Sequence, residues 1–167
     1  MSNPGGSSDS RVGWGFDAHA LNDKPPLIIG GTVTSDSVGV EATSDGDVLA
    51  HAVTDALLGA CVLGDIGQHF PSSDPALTDA DSMVFVRQAA TMALASGWRV
   101  SHLDATVVAE SVKIAPHRDA MREKLADALG VDLGVVSVKA TTTDGLGFVG
   151  RGEGLAAVAV VTVEAQS

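Results

Sequence analysis

The segment from Asp45 to Leu63 constrains this chain most. Val48, Leu49, Ala52, Val53, Ala56, Leu57 and Ala60 recur at helical spacing, which predicts a buried helix. Ser44 or Asp45 suits its start as a cap, and Gly64 suits its end. Asp47, His51 and Asp55 follow one another at four-residue intervals and so form a polar stripe on this apolar helix. Buried charge is costly unless it is paired or bound to a metal, so the stripe needs partners or an ion.

A candidate for that ion's other ligands lies upstream. In a strand, residues two apart share a face, so Asp17 and His19 of Asp17-Ala18-His19 can grip one ion together. With His51 they supply one carboxylate and two imidazoles, the ligand set of a zinc ion with an open fourth position. The plainer reading of each histidine is a hydrogen-bonded structural residue. The backbone-permissive run Gly13-Trp14-Gly15-Phe16 before Asp17 favours the metal. So does the placing of Asp47 and Asp55 one turn either side of His51, where either acid can orient its imidazole.

The remaining pattern predicts strands over 11–20, 27–29, 99–109, 135–143 and 155–165, with 32–34 extending the second. Helices are predicted over 82–96 and from Pro116 to Leu129, closed by Gly97 and Gly130, with a polar loop over 65–81. The order is roughly ββααβαββ: one α+β domain over 11–167, a four-stranded main sheet with helices packed on one face. Residues 1–10 read as a loose tail with neither a secretory nor a transit signature, so a cytoplasmic location is expected.

Two further segments carry chemistry. Lys139-Ala140-Thr141-Thr142-Thr143-Asp144 is β-branched and reads as a strand. Its end could equally offer hydroxyls and N–H groups to a phosphate, with the Asp144 carboxylate holding Mg²⁺. The glycine run from Gly145 to Gly154 reads as a hairpin connection, or as a bare backbone that lets Arg151 approach an anion. Its spacing fits neither a Walker A loop nor a dinucleotide fingerprint.

Charge narrows the partners. Ten Lys and Arg against 21 Asp and Glu give a formal net charge of -11, which argues against nucleic acid and anionic membranes. A phosphate ligand would then need local neutralisation by metal ions and a few placed bases. The single cysteine, Cys61, lies in the apolar helix and reads as a small core residue.

Taken together, these motifs resemble the 2-C-methyl-D-erythritol 2,4-cyclodiphosphate synthases of the non-mevalonate isoprenoid pathway. The resemblance is carried by Gly15-Phe16-Asp17-Ala18-His19, Ser44-Asp45-Gly46-Asp47 with His51, and Thr54-Asp55-Ala56-Leu57-Leu58-Gly59. It continues through Leu63-Gly64-Asp65-Ile66-Gly67, Phe70-Pro71, Asp74-Pro75, Lys139 to Thr143, Gly145-Leu146-Gly147-Phe148 and Gly150 to Gly154. It implies a homotrimer with active sites between subunits and a cytidine diphosphate substrate whose 2-phosphate attacks the β-phosphate, releasing CMP. Zinc would sit on Asp17, His19 and His51, and Mg²⁺ or Mn²⁺ near Asp144. Thr142 matches a threonine that helps stabilise the transition state. Substrate contacts would fall to Asp17, His19, Ser44, Asp65, Ile66, Gly67, Phe70, Pro71, Asp74, Thr141, Thr143, Phe148 and Arg151. Ala109, Lys113 and Ala115 match the segment that cradles the cytidine. No protein nucleophile is required, because phosphoryl transfer rests on positioning and charge neutralisation.

Three residues depart from the family pattern. Thr43 stands where a histidine is usual, Trp14 replaces another histidine, and Asp144 is one methylene shorter than the usual glutamate. Two rival readings share the same site: a zinc-dependent phosphoesterase using metal-bound water, and a catalytically weakened relative that only binds ligand.

Overall fold

The computed structural model describes residues 9–166. Seven strands run as β1 (Ser10–Asn22), β2 (Leu27–Ile29), β3 (Thr32–Ser35), β4 (Gly39–Val40), β5 (Trp98–Val108), β6 (Val136–Thr141) and β7 (Gly154–Ala165). The α-helices are α1 (Val48–Ala60), α2 (Ile66–His69), α3 (Met83–Ala95), α4 (Arg118–Leu129) and α5 (Gly147–Gly150). The main sheet has the order β4-β1-β7-β5-β6, and β2 and β3 form a separate hairpin. The sheet therefore has five strands, not the expected four. The extra strand is β4, two residues paired to Leu21 and Asn22 at the end of β1, too short to give a periodic signal.

Strand alternation divides the sheet into two unlike faces. Leu103, Ala105 and Val107 of β5 and Val136 and Val138 of β6 point into the core, as do Ala157, Ala159, Val161 and Val163 of β7. α1 and α3 close that core with Val48, Leu49, Val53, Leu57 and Val86, and α4 adds Met121 and Leu125. The other face leaves Val12 66%, Trp14 63% and Phe16 49% exposed.

α1 lies unusually close to β1. A Cβ on Gly13 would fall 1.9 Å from the Ala56 carbonyl oxygen, and one on Gly15 would fall 2.1 Å from that of Ala52. Only glycine lets strand and helix backbones touch in this way. The alanines four apart on α1 make the matching surface.

The first turn of α1 differs from expectation. Its cap is Asp47, not Ser44 or Asp45, and the carboxylate accepts from the backbone N–H groups of Leu49 and Ala50. The same carboxylate accepts from Gly30 N–H at 2.8 Å and Gly31 N–H at 2.6 Å. Gly30 and Gly31 both adopt left-handed φ, which shapes the tight β2–β3 hairpin turn. The fully buried charge of Asp47 is thus met by four N–H groups that weld the hairpin to α1.

Other boundaries shift for local reasons. α1 ends at Ala60 rather than running to Leu63, because Val62 turns left-handed. The polar segment after Gly64 contains α2 and a 3₁₀ turn over Pro75–Leu77, each capped by an aspartate, Asp65 and Asp74. Pro116 lies in a 3₁₀ turn and α4 starts at Arg118. Of the expected loose tail, residues 1–8 lie outside the described residues, and Ser10 already pairs with Glu164 in the sheet. Among the described residues, no helix is long and apolar enough to cross a membrane.

Candidate active site

Because Gly13 and Gly15 face α1, so do Asp17 and His19 two and four residues further along the same strand face. The close approach of α1 carries His51 onto them. Asp17 Oδ2 lies 3.0 Å from His19 Nε2 and 2.9 Å from His51 Nδ1. The two ring nitrogens are 3.2 Å apart. Donors about 2.0–2.1 Å from a tetrahedral zinc stand about 3.3 Å from one another, so this spacing and donor set fit such an ion. The charges are matched accordingly. Burial pushes the Asp17 carboxyl up, but hydrogen bonds from His19 and His51 outweigh it and hold the group well below the usual carboxylate range. Burial pushes His19 down, while its hydrogen bond and attraction to Asp17 carry it above its ordinary value.

The acids expected to orient His51 do other work. Asp47 is spent on four backbone N–H groups, and Asp55 accepts from Ile66 N–H at 3.0 Å, fixing the start of α2. Along α1 the cap position turns Asp47 toward the hairpin, away from the ring one turn on. His51 Nε2 instead meets the hydroxyls of Ser82 at 2.9 Å and Ser44 at 3.1 Å.

Beside the triad lies a cavity of about 360 Å³, lined by His19, Ser44, His51, Ile66, Gly67 and Phe70 together with Ala42, Thr43, Ser72, Leu77 and Phe85. Phe85 stacks on Phe70 with centroids 4.5 Å apart, and its centroid lies 6.1 Å from that of the His51 ring. Two larger hollows, about 610 and 880 Å³, lie elsewhere and contain none of the triad. Ser44, Ile66, Gly67 and Phe70 thus join the triad. Asp65, Pro71 and Asp74 do not line the cavity, and both aspartates act as caps. Leu77, Phe85 and Ser82 were not anticipated. Their only signal is that Ser82 and Phe85 share a face at the start of a predicted helix.

A second cluster forms where β5 and β6 end. Ala109 N–H donates to the Thr141 carbonyl at 3.0 Å, and Thr143 N–H donates to Glu110 Oε2 at 3.2 Å. The Thr142 hydroxyl donates to Asp144 Oδ1 at 3.3 Å, and Asp144 takes a left-handed φ of 52°. Lys113 and Ala115 are exposed on the adjoining segment. This cluster does not meet the triad. Ala18, Ala156, Val108 and Thr141 stand level across the sheet, so β1 and β6 are three strands apart. At roughly 4.8 Å per strand, that is about 14 Å. Thr141 also points to the outer face, whereas Asp17 and His19 point to the helix face. In the glycine-rich segment Phe148 lies beside Gly154, whose backbone also adjoins the His19 carbonyl. The Arg151 guanidinium is engaged by Glu153 at 2.8 and 3.0 Å.

Known proteins resemble this chain along most of its length. Residues 10–164 match the model of the YgbB family. The chain is 51% identical over 154 residues to the 2-C-methyl-D-erythritol 2,4-cyclodiphosphate synthase of Thioalkalivibrio sulfidiphilus, covering 92% of this chain and 96% of that one. It is 50% identical to the enzyme of the same name from Moorella thermoacetica, covering 90% and 93%. Among solved structures, a bifunctional IspDF from Campylobacter jejuni superposes with a TM-score of 0.92 at 40% identity; the match covers 95% of this chain and 43% of that longer one. A 2C-methyl-D-erythritol-2,4-cyclodiphosphate synthase in a CDP-bound form gives 0.84 at 34% identity, covering 92% and 100%. The chain belongs to the YgbB family.

Proposed function

We propose that this chain catalyses the cyclodiphosphate synthase reaction of its relatives, a lyase step of non-mevalonate isoprenoid synthesis. An oxygen of the substrate's 2-phosphate attacks the β-phosphorus of 4-diphosphocytidyl-2-C-methyl-D-erythritol 2-phosphate. A new P–O bond closes the ring as the bond from the β-phosphorus to the α-phosphate's bridging oxygen breaks. CMP leaves with that oxygen, and no water is consumed. The observation that carries this reading is the Asp17, His19 and His51 triad with its donors 2.9–3.2 Å apart beside a cavity.

Asp17, His19 and His51 would hold zinc, and Asp144 would contribute to a Mg²⁺ or Mn²⁺ site. Such ions supply positive charge to phosphate oxygens, which a chain with a net charge of -11 otherwise lacks. The apolar walls Ile66, Phe70 and Leu77 suit the methylerythritol and exclude water from it. Ser44 and Gly67 line the same cavity, and Asp65, Pro71 and Asp74 on the adjoining loop would meet the substrate outside it. Thr141, Thr142 and Thr143 offer hydroxyl and N–H donors to the phosphates, with Thr142 as the catalytic donor. Ala109, Lys113 and Ala115 frame the cytidine, and Phe148 and Arg151 flank the phosphates, Arg151 exchanging Glu153 for the ligand.

Two observations support a homotrimer with shared sites. The triad and the threonine cluster are too far apart in one copy to hold one diphosphate. The outer sheet face exposes Val12, Trp14 and Phe16, an apolar surface that association would cover. In this reading residues 11–167 form one catalytic domain that works in the cytoplasm.

Product analysis tests the reaction. Purified chain supplied with zinc, magnesium and substrate should yield equimolar cyclic diphosphate and CMP. Free phosphate would instead indicate a phosphoesterase, and no turnover a ligand-binding relative.

A further inference from the structure

We propose that Ser82, held by Asp45, is a positioning residue that fixes the tautomer and aim of the His51 ring. The inference rests on the reading of the triad as a metal site.

Ser82 opens α3 yet does not behave as a helix cap. Its hydroxyl makes no bond to the helix, whose Met83 N–H is taken by Asp81 at 2.9 Å. Serine at that position ordinarily turns back onto the N–H groups of the first turn. Here the side chain is fully buried and its oxygen lies 2.9 Å from His51 Nε2 and 2.5 Å from Asp45 Oδ1. The other Asp45 oxygen accepts from Ser82 N–H at 3.1 Å, so the acid grips both the backbone and the hydroxyl of one residue.

The direction of each bond follows from who has a proton to give. A carboxylate only accepts, so the Ser82 hydroxyl donates to Asp45. With its one proton spent, Ser82 Oγ faces His51 Nε2 with lone pairs alone. At 2.9 Å that contact is favourable only if Nε2 carries the hydrogen. Ser44 Oγ, 3.1 Å from the same nitrogen, accepts as well as it donates and does not oppose this. Asp17 Oδ2 and His19 Nε2 lie 2.9 and 3.2 Å from Nδ1, so a metal bound among them would take the Nδ1 lone pair. Asp45, Ser82 and His51 form a line that carries order from the Ser44–Asp47 loop through the start of α3 into the triad. Partners of this kind are usually worth about 10–100-fold in metal affinity.

The test uses the full chain loaded with Zn²⁺ or, for its spectrum, Co²⁺. Competition with a chromogenic chelator should show Ser82→Ala binding Zn²⁺ about 10–100-fold more weakly than wild type, with a changed Co²⁺ ligand-field spectrum. Long-range ¹H–¹⁵N correlation of the wild-type His51 ring should show hydrogen on Nε2, both without metal and with zinc. Affinity and spectrum unchanged in Ser82→Ala, or no hydrogen on Nε2 in the wild type, would overturn the proposal. If the variant does not fold, the wild-type tautomer still decides. If the wild type binds no zinc, the metal reading fails on its own, and the tautomer separately decides what Ser82 does.

Discussion

Gly15 meets Ala52 backbone to backbone: a methyl group on the glycine would sit 2.1 Å from the alanine's carbonyl oxygen. That contact sets how deep α1 lies on β1, and therefore where His51 stands relative to Asp17. Gly15→Ala should force the helix outward, costing about 2–3 kcal/mol in urea unfolding. It should also weaken zinc binding, because the three donors now lie within 3.2 Å of one another and separate with the helix. Unfolding and zinc titration of the same preparation check both effects.

Asp47 should prove structural rather than metal-directed. Asp47→Asn leaves an amide facing N–H donors that the carboxylate now satisfies, and should cost about 2–3 kcal/mol of stability. Zinc affinity of the folded fraction should stay within about two-fold, unlike Ser82→Ala, since no metal partner is lost. Chelator competition beside denaturant unfolding separates the two roles.

Removing metal should abolish turnover. Dialysis against a chelator is expected to lower activity by more than about 100-fold, with zinc restoring it, because the charge that stabilises the reacting phosphates goes with the ion. His51→Ala should resist restoration. The product assay reads each case.

Thr43 lines the cavity beside Ser44 and is exposed, so a longer side chain has room there. Thr43→His places a histidine where the family resemblance has one, and exchanges a neutral hydrogen bond for a charge-assisted one. Such a bond is roughly twice as strong, so kcat should rise about three- to ten-fold. An unchanged or lower kcat in steady-state assays contradicts this.

If sites are shared between copies, two dead variants should rescue each other. His51→Ala and Thr142→Ala are each expected to lose at least about 100-fold in kcat. Co-expressed in equal amounts, they should recover about a quarter of wild-type activity, since about one interface in four pairs two intact contributions. Phe16→Glu should meanwhile break the assembly, read by sedimentation.

Local chemistry made much of this protein legible in its sequence. The Asp-x-His strand, the apolar helix carrying His51 and the glycine punctuation each depend on neighbours within a turn or two. What the sequence could not display was how far elements slide along one another. Asp47 reads as the first residue of a stripe but is a cap, because the Gly30-Gly31 turn folds back onto it. Ser82 reads as the first residue of a helix but meets His51, thirty-one residues away, because α3 packs beside α1. The strands' own alternation fixed which residues face the helices. Only the tertiary structure decided that the threonine cluster lies three strands from the triad, since strand order depends on long-range pairing that no local pattern encodes.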